Sequence, residues 1–460
     1  MNLSIWHIGF MIATIALVIG VGIYAARSVH SAEGYSLGGR SAGVPLIAGS
    51  IAGTIIGGGA TVGTAQLAFS YGLAAWWFTL GSGIALAIMG FFYAREMRES
   101  GLATIPEFLS TFYGRRSEEM SSVISSIGIL LSIIASTLPG IQIISAFFHV
   151  GPWAAAGILL LLVLLYTFFG GMKSAGVGGI MKMAVIFLSL FVAGYSAWKE
   201  LMAMPDFDAL FPAMPWHSLF GVGVQPALTS LFSVVVGVLC TQTYVQAIFS
   251  ASTPVTAAAG CITAAAIVIP VGLPSVAIGM YMHAAAPDTL PILVLPTYLV
   301  QHESTLIAGV AMGGIMLSLI GSIGGLSLGV ATMLSHDIIG LVLKIRDDKK
   351  LLLITRLGVL GAILAASAVS IAYLESEVLF WNYLSMALRG GGIFLPLSLA
   401  VFCPGIVKPS WAFASMGIST VAAILTATVF PLPISPLFVG LIVSAVLCGI
   451  GCVVRHVEHR

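Results

Sequence analysis

Charged residues are scarce in this sequence. Asp, Glu, Lys and Arg make up 8% of its 460 residues, whereas 59% are hydrophobic, and the mean hydropathy is +1.09. This composition is typical of a polytopic membrane protein. The net charge of +1, with no block of like charges, gives no indication of a nucleic acid partner.

Motifs of enzyme chemistry are also missing. The sequence contains no zinc-binding H-E-x-x-H and no phosphate-cradling glycine loop. Its five cysteines lie in or beside apolar segments, without the spacing of metal ligands or of a disulfide framework: Cys240, Cys261, Cys403, Cys448 and Cys452. We therefore expect neither an enzyme nor an organic cofactor.

Carboxylates are missing from the middle of the apolar runs, because all seventeen Asp and Glu residues fall in predicted loops or at helix ends. Among them, Asp337 beside His336 is interpreted as a helix cap or charge anchor. Proton pumps and many proton-driven carriers keep an acid inside the membrane. This chain is therefore expected either to couple to an ion held by neutral oxygens or to use one of two basic residues within its apolar runs, Lys182 and Arg389.

Long apolar runs are abundant, and they predict an all-α protein with about thirteen membrane-spanning helices, called spans 1 to 13 below. The runs are centred near residues 16, 57, 84, 135, 161, 187, 236, 266, 319, 363, 390, 420 and 445. The first run lacks the basic start and cleavage site of a signal peptide. The expected location is the plasma (inner) membrane, as a multi-pass monomer.

Basic residues are distributed unevenly between the predicted loops. With the N-terminus outside, fifteen of the eighteen Lys and Arg residues lie in inward loops, and only Lys199 lies outward. The positive-inside rule then predicts an outer N-terminus and a cytoplasmic C-terminus. Cysteine labelling is expected to reach position 200 from outside and position 347 only from inside; the reverse pattern would contradict this orientation.

Span 2 has an unusual number of glycines at its centre. Five glycines and two threonines occur between Gly53 and Gly63. Each glycine inside a helix costs about 1 kcal/mol relative to alanine, so Gly57, Gly58 and Gly59 predict a break near the bilayer midplane. Such breaks hold ions and solutes in secondary transporters. The alternative is a close helix contact of the small-xxx-small kind.

Four motifs occur in the order found in one transporter family. They are GYSLGGRSAG at Gly34–Gly43, GGMKS at Gly170–Ser174, QTYVQAIFSAS at Gln242–Ser252 and LSHDI at Leu334–Ile338. The first closely resembles the Y-x-L-G-G-R-S signature of the sodium:solute symporter family. Together the motifs resemble that family over residues 34 to about 405.

This resemblance implies the leucine-transporter fold, which has two inverted repeats of five helices with broken spans 2 and 7. The repeats would be residues 44–198 (spans 2–6) and 223–402 (spans 7–11). Residues 1–43 would form the first helix and a cytoplasmic loop, and residues 409–460 two additional C-terminal helices.

The resemblance also implies a sodium site between the broken span 2 and span 9. The matching positions are Gly53, Ile56, Ser318, Gly321 and Ser322. Ser318 and Ser322 share a helical face, but Gly321 replaces a hydroxyl residue that the family usually has. The small residues of span 9 also fit a stripe for close helix packing.

The solute is expected to contact the two breaks and one buried base. The predicted contacts are Gly57, Gly58, Gly59, Ser233, Gly237, Gln242 and Arg389. The family's sugar carriers resemble one another in a Tyr-Trp pair where this chain has Gly237 and Val238. A sugar is therefore disfavoured as the solute.

The two basic residues within the spans have alternative interpretations. Lys182, ~9 Å from the cytoplasmic end of span 6 by helical rise, either snorkels to the interface or faces the Gly53/Ser322 region, where a proton could replace or modulate sodium. Arg389 lies ~18 Å into span 11. It either donates to free carbonyls at a helix break or grips a carboxylate of the solute.

These observations predict a secondary active transporter in which a cation, sodium in first place, drives symport of a small anionic organic solute by alternating access. Its partners would be the solute, sodium or a proton, and the lipid bilayer. The alternatives are a proton-coupled transporter in which Lys182 replaces sodium, a membrane sensor on a transporter scaffold, and a channel. The sequence shows no output domain for the sensor and no repeated filter for the channel.

Overall fold

The computed structural model describes residues 3–27, 32–167, 171–205, 207–340, 343, 347–429 and 434–458. Within these ranges every regular element is a helix, apart from one bridge between Ala42 and Ala251. The all-α prediction is confirmed. Gly170 of the GGMKS motif lies outside the described residues. So do Lys344, Arg346 and Arg460, which are three of the fifteen basic residues predicted to lie in inward loops.

The described residues up to residue 216 form twelve α-helices. They are α1 (Ile5–Ala26), α2 (Ala32–Leu37), α3 (Val44–Ile55), α4 (Thr64–Tyr71), α5 (Trp77–Ile88), α6 (Ala94–Glu99), α7 (Ile105–Tyr113), α8 (Arg115–Phe148), α9 (Pro152–Thr167), α10 (Gly171–Met202), α11 (Phe207–Leu210) and α12 (Ala213–Trp216). Two π-helical segments, Gly59–Gly63 and Met89–Tyr93, lie within spans 2 and 3.

The second half of the chain continues the same architecture. Its helices are α13 (Val224–Leu239), α14 (Gln242–Phe249), α15 (Pro254–Ala285), α16 (Val294–His302), α17 (Thr305–Met333), α18 (Asp348–Ala372), α19 (Val378–Phe402), α20 (Pro409–Thr428) and α21 (Pro436–Glu458). A third π-helical segment, Leu334–Gly340, follows α17.

Fewer helices are long and apolar enough to cross a membrane than the thirteen that the sequence predicted. Among the described residues, ten helices are long and apolar enough to cross a membrane, or eleven if the bent pair α13 and α14 is one span. Val44–Ile55 and Pro152–Tyr166 are apolar but shorter. The count of thirteen, like the repeat boundaries at 44–198 and 223–402, therefore stays a prediction.

Helix α17 occupies the centre of the bundle. Its most apolar stretch is 83% buried, compared with 28% for α1 at the periphery. Small residues allow the close approach of its neighbours: a Cβ at Gly313 would be 2.8 Å from Thr14, and one at Gly325 would be 2.4 Å from Thr54 Oγ1. The small residues of α17 therefore allow close helix packing, in addition to any role in ion binding.

The two ends of the bundle differ in charge, and we name them accordingly. The basic face carries Arg40, Arg98, Arg115 and Lys349, and the acidic face carries Glu200, Glu303, Glu375 and Glu377. Helix α8 connects the two faces. It begins at Arg115 on the basic face and ends at Phe148, and Gln142 in its last two turns donates to the Leu374 carbonyl, next to Glu375 of the acidic face. The positive-inside rule predicts that the basic face is cytoplasmic.

Candidate functional site

Span 2 is broken where its glycines predicted it. The backbone leaves the helical conformation at Ile56 (φ −77°, ψ 76°), directly after α3. Two threonine hydroxyls donate hydrogen bonds to backbone carbonyls at the break. Thr61 Oγ1 donates to the Gly57 carbonyl (2.9 Å), and Thr64 Oγ1 donates to the Gly59 carbonyl (2.8 Å). Buried backbone at this depth needs such partners because lipid supplies none.

The side chain of Lys182 extends from α10 into this break. Its Nζ donates to the carbonyl oxygens of Gly53, of Ile56 (2.8 Å) and of Ser318 (3.3 Å). Lys182 is fully buried, so its ammonium faces the predicted ion site and not the membrane interface. An ammonium group has three donors, and this position offers three acceptors.

The serines of α17 bond to the same break. Ser318 Oγ donates to the Ile56 carbonyl, and Ser322 Oγ donates to the Thr54 carbonyl. A Cβ at Gly321 would be 3.1 Å from the lysine ammonium nitrogen. Four of the five predicted ion-site residues therefore lie around the lysine ammonium: Gly53, Ile56, Ser318 and Gly321. Ser322 bonds to the same break at Thr54, and the glycine that replaces the family's hydroxyl leaves space for the ammonium.

Glycines bring α10 into backbone contact with α3. A Cβ at Gly179 would be 2.0 Å from the Gly49 carbonyl oxygen, and one at Gly53 would be 2.8 Å from Gly179 Cα. Lys182 follows Gly179 by three residues and therefore lies on the same helical face. This close contact aims the lysine side chain at the carbonyls of the break.

Replacing Gly179 with alanine is expected to destabilise the protein by about 1–3 kcal/mol or more, because the clashing atoms are backbone and cannot move alone. Thermal unfolding in detergent measures the effect. The matched control is Gly157→Ala in α9, where a Cβ would meet nothing within 4 Å, and we expect that control to be neutral or slightly stabilising. Equal melting temperatures for the two variants would contradict the contact.

Gly57 and Gly58 are enclosed by α8 and α17. A Cβ at Gly57 would be 2.1 Å from Ser322 Oγ and 3.3 Å from Ser136 Oγ, and one at Gly58 would be 2.9 Å from the Ala135 carbonyl oxygen. Ser136 was missed by sequence reasoning. The available signal was its place in a span unusually rich in serine.

Gly59 faces a different wall, made by α5 and α19. A Cβ at Gly59 would be 2.7 Å from Asn382 Nδ2 and 2.9 Å from the Phe78 ring. The Phe78 and Tyr383 rings meet edge to face with centroids 6.2 Å apart. Asn382 was also missed, although an amide inside an apolar span is a visible signal.

Span 7 is broken between α13 and α14, which are bent by 40° at Cys240 and Thr241. Gly237 lies before this break and packs on α19, where its Cβ would be 2.2 Å from Met386 Cβ. Ser233 lines a cavity of about 550 Å³. Gln242 lies elsewhere, because its side chain bonds to the segment before α7.

Arg389 is buried between α19 and α8, with 1% of its surface exposed. A Cβ at Gly128 would be 2.4 Å from Arg389 Cγ. Nε donates to the Ser385 carbonyl (3.2 Å), and Nη2 donates to Ser132 Oγ at 3.5 Å. Within the described residues, Nη1 has no hydrogen-bond partner and no carboxylate forms an ion pair with this guanidinium.

A cavity of about 580 Å³ opens at the acidic face. Its lining includes Gly63, Gln66, Gln142, Glu375 and Glu377. Gly63 belongs to the broken span, so this opening reaches toward the break from the acidic face. A smaller cavity of about 280 Å³ lies at the basic face.

Two broken helices that meet in the bundle, a buried cation on the carbonyls at the break of span 2 and an opening at one face define a secondary active transporter. The family model described as Sodium:solute symporter family matches residues 35–418. This chain belongs to that family. It is therefore a multi-pass membrane transporter and not an enzyme, and membership supports solute symport with sodium as the coupling ion.

Curated relatives match between about half and most of the chain at low identity. High affinity choline transporter 1 of Homo sapiens is 26% identical over 429 residues, which are 87% of this chain and 74% of that protein. Sodium/glucose cotransporter 1 of Mus musculus is 26% identical over 213 residues, which are 45% of this chain and 32% of that protein.

Solved structures share the fold. An outward-open, substrate-bound Na⁺-coupled sialic acid symporter has a TM-score of 0.83 and 17% identity, covering 98% of this chain and 97% of its own. MHP1, a nucleobase-cation-symport-1 family transporter in a closed conformation, has a TM-score of 0.58 and 12% identity, covering 92% and 94%. At these identities, the likeness shows the fold alone.

Proposed function

We propose that this chain is a proton-coupled symporter for a small organic solute that carries a carboxylate, and that Lys182 is the group that carries the coupling proton. The observation behind this proposal is the position of the lysine ammonium on the carbonyls of Gly53, Ile56 and Ser318. These residues include the backbone ligands expected for sodium. A lysine amine, unlike a guanidinium, readily exists in both protonation states inside proteins.

Protonation of Lys182 would be linked to conformation through the hydrogen bonds that its ammonium makes. The charged form ties α10 to the break in span 2 and to α17, whereas a neutral amine has fewer donors for the same three carbonyls. The two protonation states therefore stabilise different arrangements of these helices. That difference in free energy is what coupling requires.

Sodium is the second candidate for the coupling ion, and family membership favours it. Two cations cannot share one set of oxygens at hydrogen-bonding distance without strong repulsion. Sodium would therefore bind here only if Lys182 were neutral or withdrawn from the break. The two candidates predict opposite responses to imposed gradients of pH and sodium.

The buried guanidinium of Arg389 is the reason for proposing that the solute carries a carboxylate. Ser132 and Ser136 occupy consecutive turns of α8, about 6 Å apart by helical rise. Ser136 faces Gly57 at the break, and Ser132 faces the guanidinium. A small solute between Gly59 and Arg389 would thus present its carboxylate to the partly unbonded donor fork.

Uptake into proteoliposomes tests the proposal, with pH and sodium gradients imposed separately. The solutes are labelled monocarboxylates, amino acids and nucleobases, together with choline and glucose because relatives are named for them. We expect a carboxylate to accumulate when the pH gradient alone is imposed. Accumulation driven only by sodium would contradict the role of Lys182, and uptake of only choline or an uncharged solute would contradict the role of Arg389.

A further inference from the structure

Gln242 begins α14, directly after the break in span 7, and is fully buried. Its Nε2 donates to the Ala103 carbonyl (3.1 Å), and its Oε1 accepts a hydrogen bond from the Ile105 amide (2.8 Å). Both ends of the amide are thus used on one short stretch, which we call the 103–105 segment. This segment connects α6 to α7 at the basic face.

The middle of the 103–105 segment is tied to the end of α17. Thr104 Oγ1 donates to Asp337 Oδ1 (3.0 Å) and also accepts from the Glu107 amide (3.0 Å), which caps α7. Thr104 and Asp337 are both fully buried. The segment is therefore held on one side by α14 and on the other by the π-helical end of α17.

One turn further along α14, Gln246 makes a second connection. Its Nε2 donates to the Ser36 carbonyl (2.6 Å) and to Thr332 Oγ1 (3.1 Å) on α17. Thr243 Oγ1 donates to the Gly325 carbonyl (3.2 Å). Three polar side chains of α14, those of Gln242, Thr243 and Gln246, thus bond across the seam between α14 and its neighbours.

We propose that Gln242 and Gln246 are the latch of a gate at the basic face, and that the latch closes by binding the 103–105 segment and the α17 seam. The latch joins elements that must separate if solute is to leave through this face. The opposite face already has an opening of about 580 Å³ that extends toward the break as far as Gly63. The latched arrangement is therefore specific to the state that is closed at the basic face.

The latch depends on hydrogen bonds that water cannot replace while the seam is closed. Buried groups that lose their partners carry the full cost of desolvation, whereas separation of α14 would expose them to water. Removing the bonds of one glutamine should therefore weaken the closed state more than the open state. Two bonds of ordinary strength correspond to a tenfold or larger shift of the gate equilibrium.

The experiment uses native Cys240, which is buried beside the break, in the full chain with the other four cysteines replaced by alanine. A membrane-impermeant maleimide is added from the side of the basic face, in vesicles of known orientation. We expect Gln242→Ala to raise the labelling rate of Cys240 about tenfold or more. Thr104→Val, which removes the link to Asp337 at nearly constant shape, should raise the rate in the same direction.

The matched control is Gln142→Ala, which removes a comparable bond from Gln142 Nε2 to the Leu374 carbonyl (2.9 Å) at the acidic face. It should leave the labelling rate from the basic face unchanged. Size-exclusion chromatography identifies folded protein, and Thr104→Val decides the outcome if Gln242→Ala does not fold. The proposal would be overturned if Cys240 in the folded latch variants were labelled at the same rate as in the parent chain. It would also be overturned if Gln142→Ala raised the labelling rate as much as the latch variants do. Neither solute nor coupling ion enters this measurement, so its failure is separate from failure of the proposed function.

Discussion

Replacing Lys182 with alanine is expected to abolish uptake driven by a pH gradient and to make the stability of the protein depend on sodium. In the parent chain, the ammonium occupies the carbonyls of Gly53, Ile56 and Ser318. Without it, these buried acceptors lose a donor at a cost of about 1–3 kcal/mol each. A sodium ion can then bind the vacated oxygens and recover part of that free energy.

Thermal unfolding in sodium chloride and in N-methylglucamine chloride, at equal ionic strength, measures this exchange of cations. The melting temperature of the parent should be the same in both salts, and that of Lys182→Ala should be several degrees higher in sodium. Lys199→Ala is the matched control, since Lys199 is an exposed lysine near the other end of α10. Sodium stabilisation of the parent, or pH-driven uptake that persists in Lys182→Ala, would rule out the proposed coupling.

Arg389→Lys is expected to fold and to transport carboxylates with about 10- to 100-fold weaker affinity. The size follows from the loss of one or two charge-assisted hydrogen bonds, worth about 1.5–3 kcal/mol each. Lysine keeps the positive charge but loses the planar pair of donors that matches a carboxylate. Concentration dependence of uptake in proteoliposomes gives the affinity, and Ser132→Ala should weaken it by a smaller factor.

The control for Arg389 is Arg115→Lys at the exposed start of α8, which should leave uptake unchanged. If Arg389 only bonds the helices together, Arg389→Lys will reduce the folded fraction instead of the affinity. Failure of that variant to fold would therefore favour the structural interpretation. Stable Arg389→Lys with unchanged carboxylate affinity would likewise remove Arg389 from the solute site.

Local chemistry explains why the broken span 2 could be predicted. Gly57, Gly58 and Gly59 are adjacent, so their cost to a helix is a property of the sequence alone. The break in span 7 has no such run, and it falls at Thr241, whose extended backbone (φ −90°, ψ 112°) is imposed by packing. Sequence reasoning pointed to Ser233 and Gly237, which lie inside α13.

Polar side chains were harder to assign than backbone breaks. Gln242 was expected at the solute, yet its amide bonds to the 103–105 segment across 137 residues of sequence. Asp337 was interpreted as a helix cap or charge anchor, and the structure shows it fully buried, where it accepts a hydrogen bond from Thr104 on a distant segment. A buried polar group must find a partner, but the sequence does not say which of several distant groups that partner is.

The sequence by itself determined the membrane class, the break of span 2 and the two unusual cations, because hydropathy, glycine cost and charge inside an apolar run are local properties. Only the tertiary structure decided what those cations contact. Lys182 and Gly53 are 129 residues apart, and their contact depends on the backbone approach of α10 to α3 at Gly179 and Gly49. Arg389 likewise obtained its neighbours from α8. Which helical faces meet is set by the packing of the whole bundle, and that information is not contained in any one span.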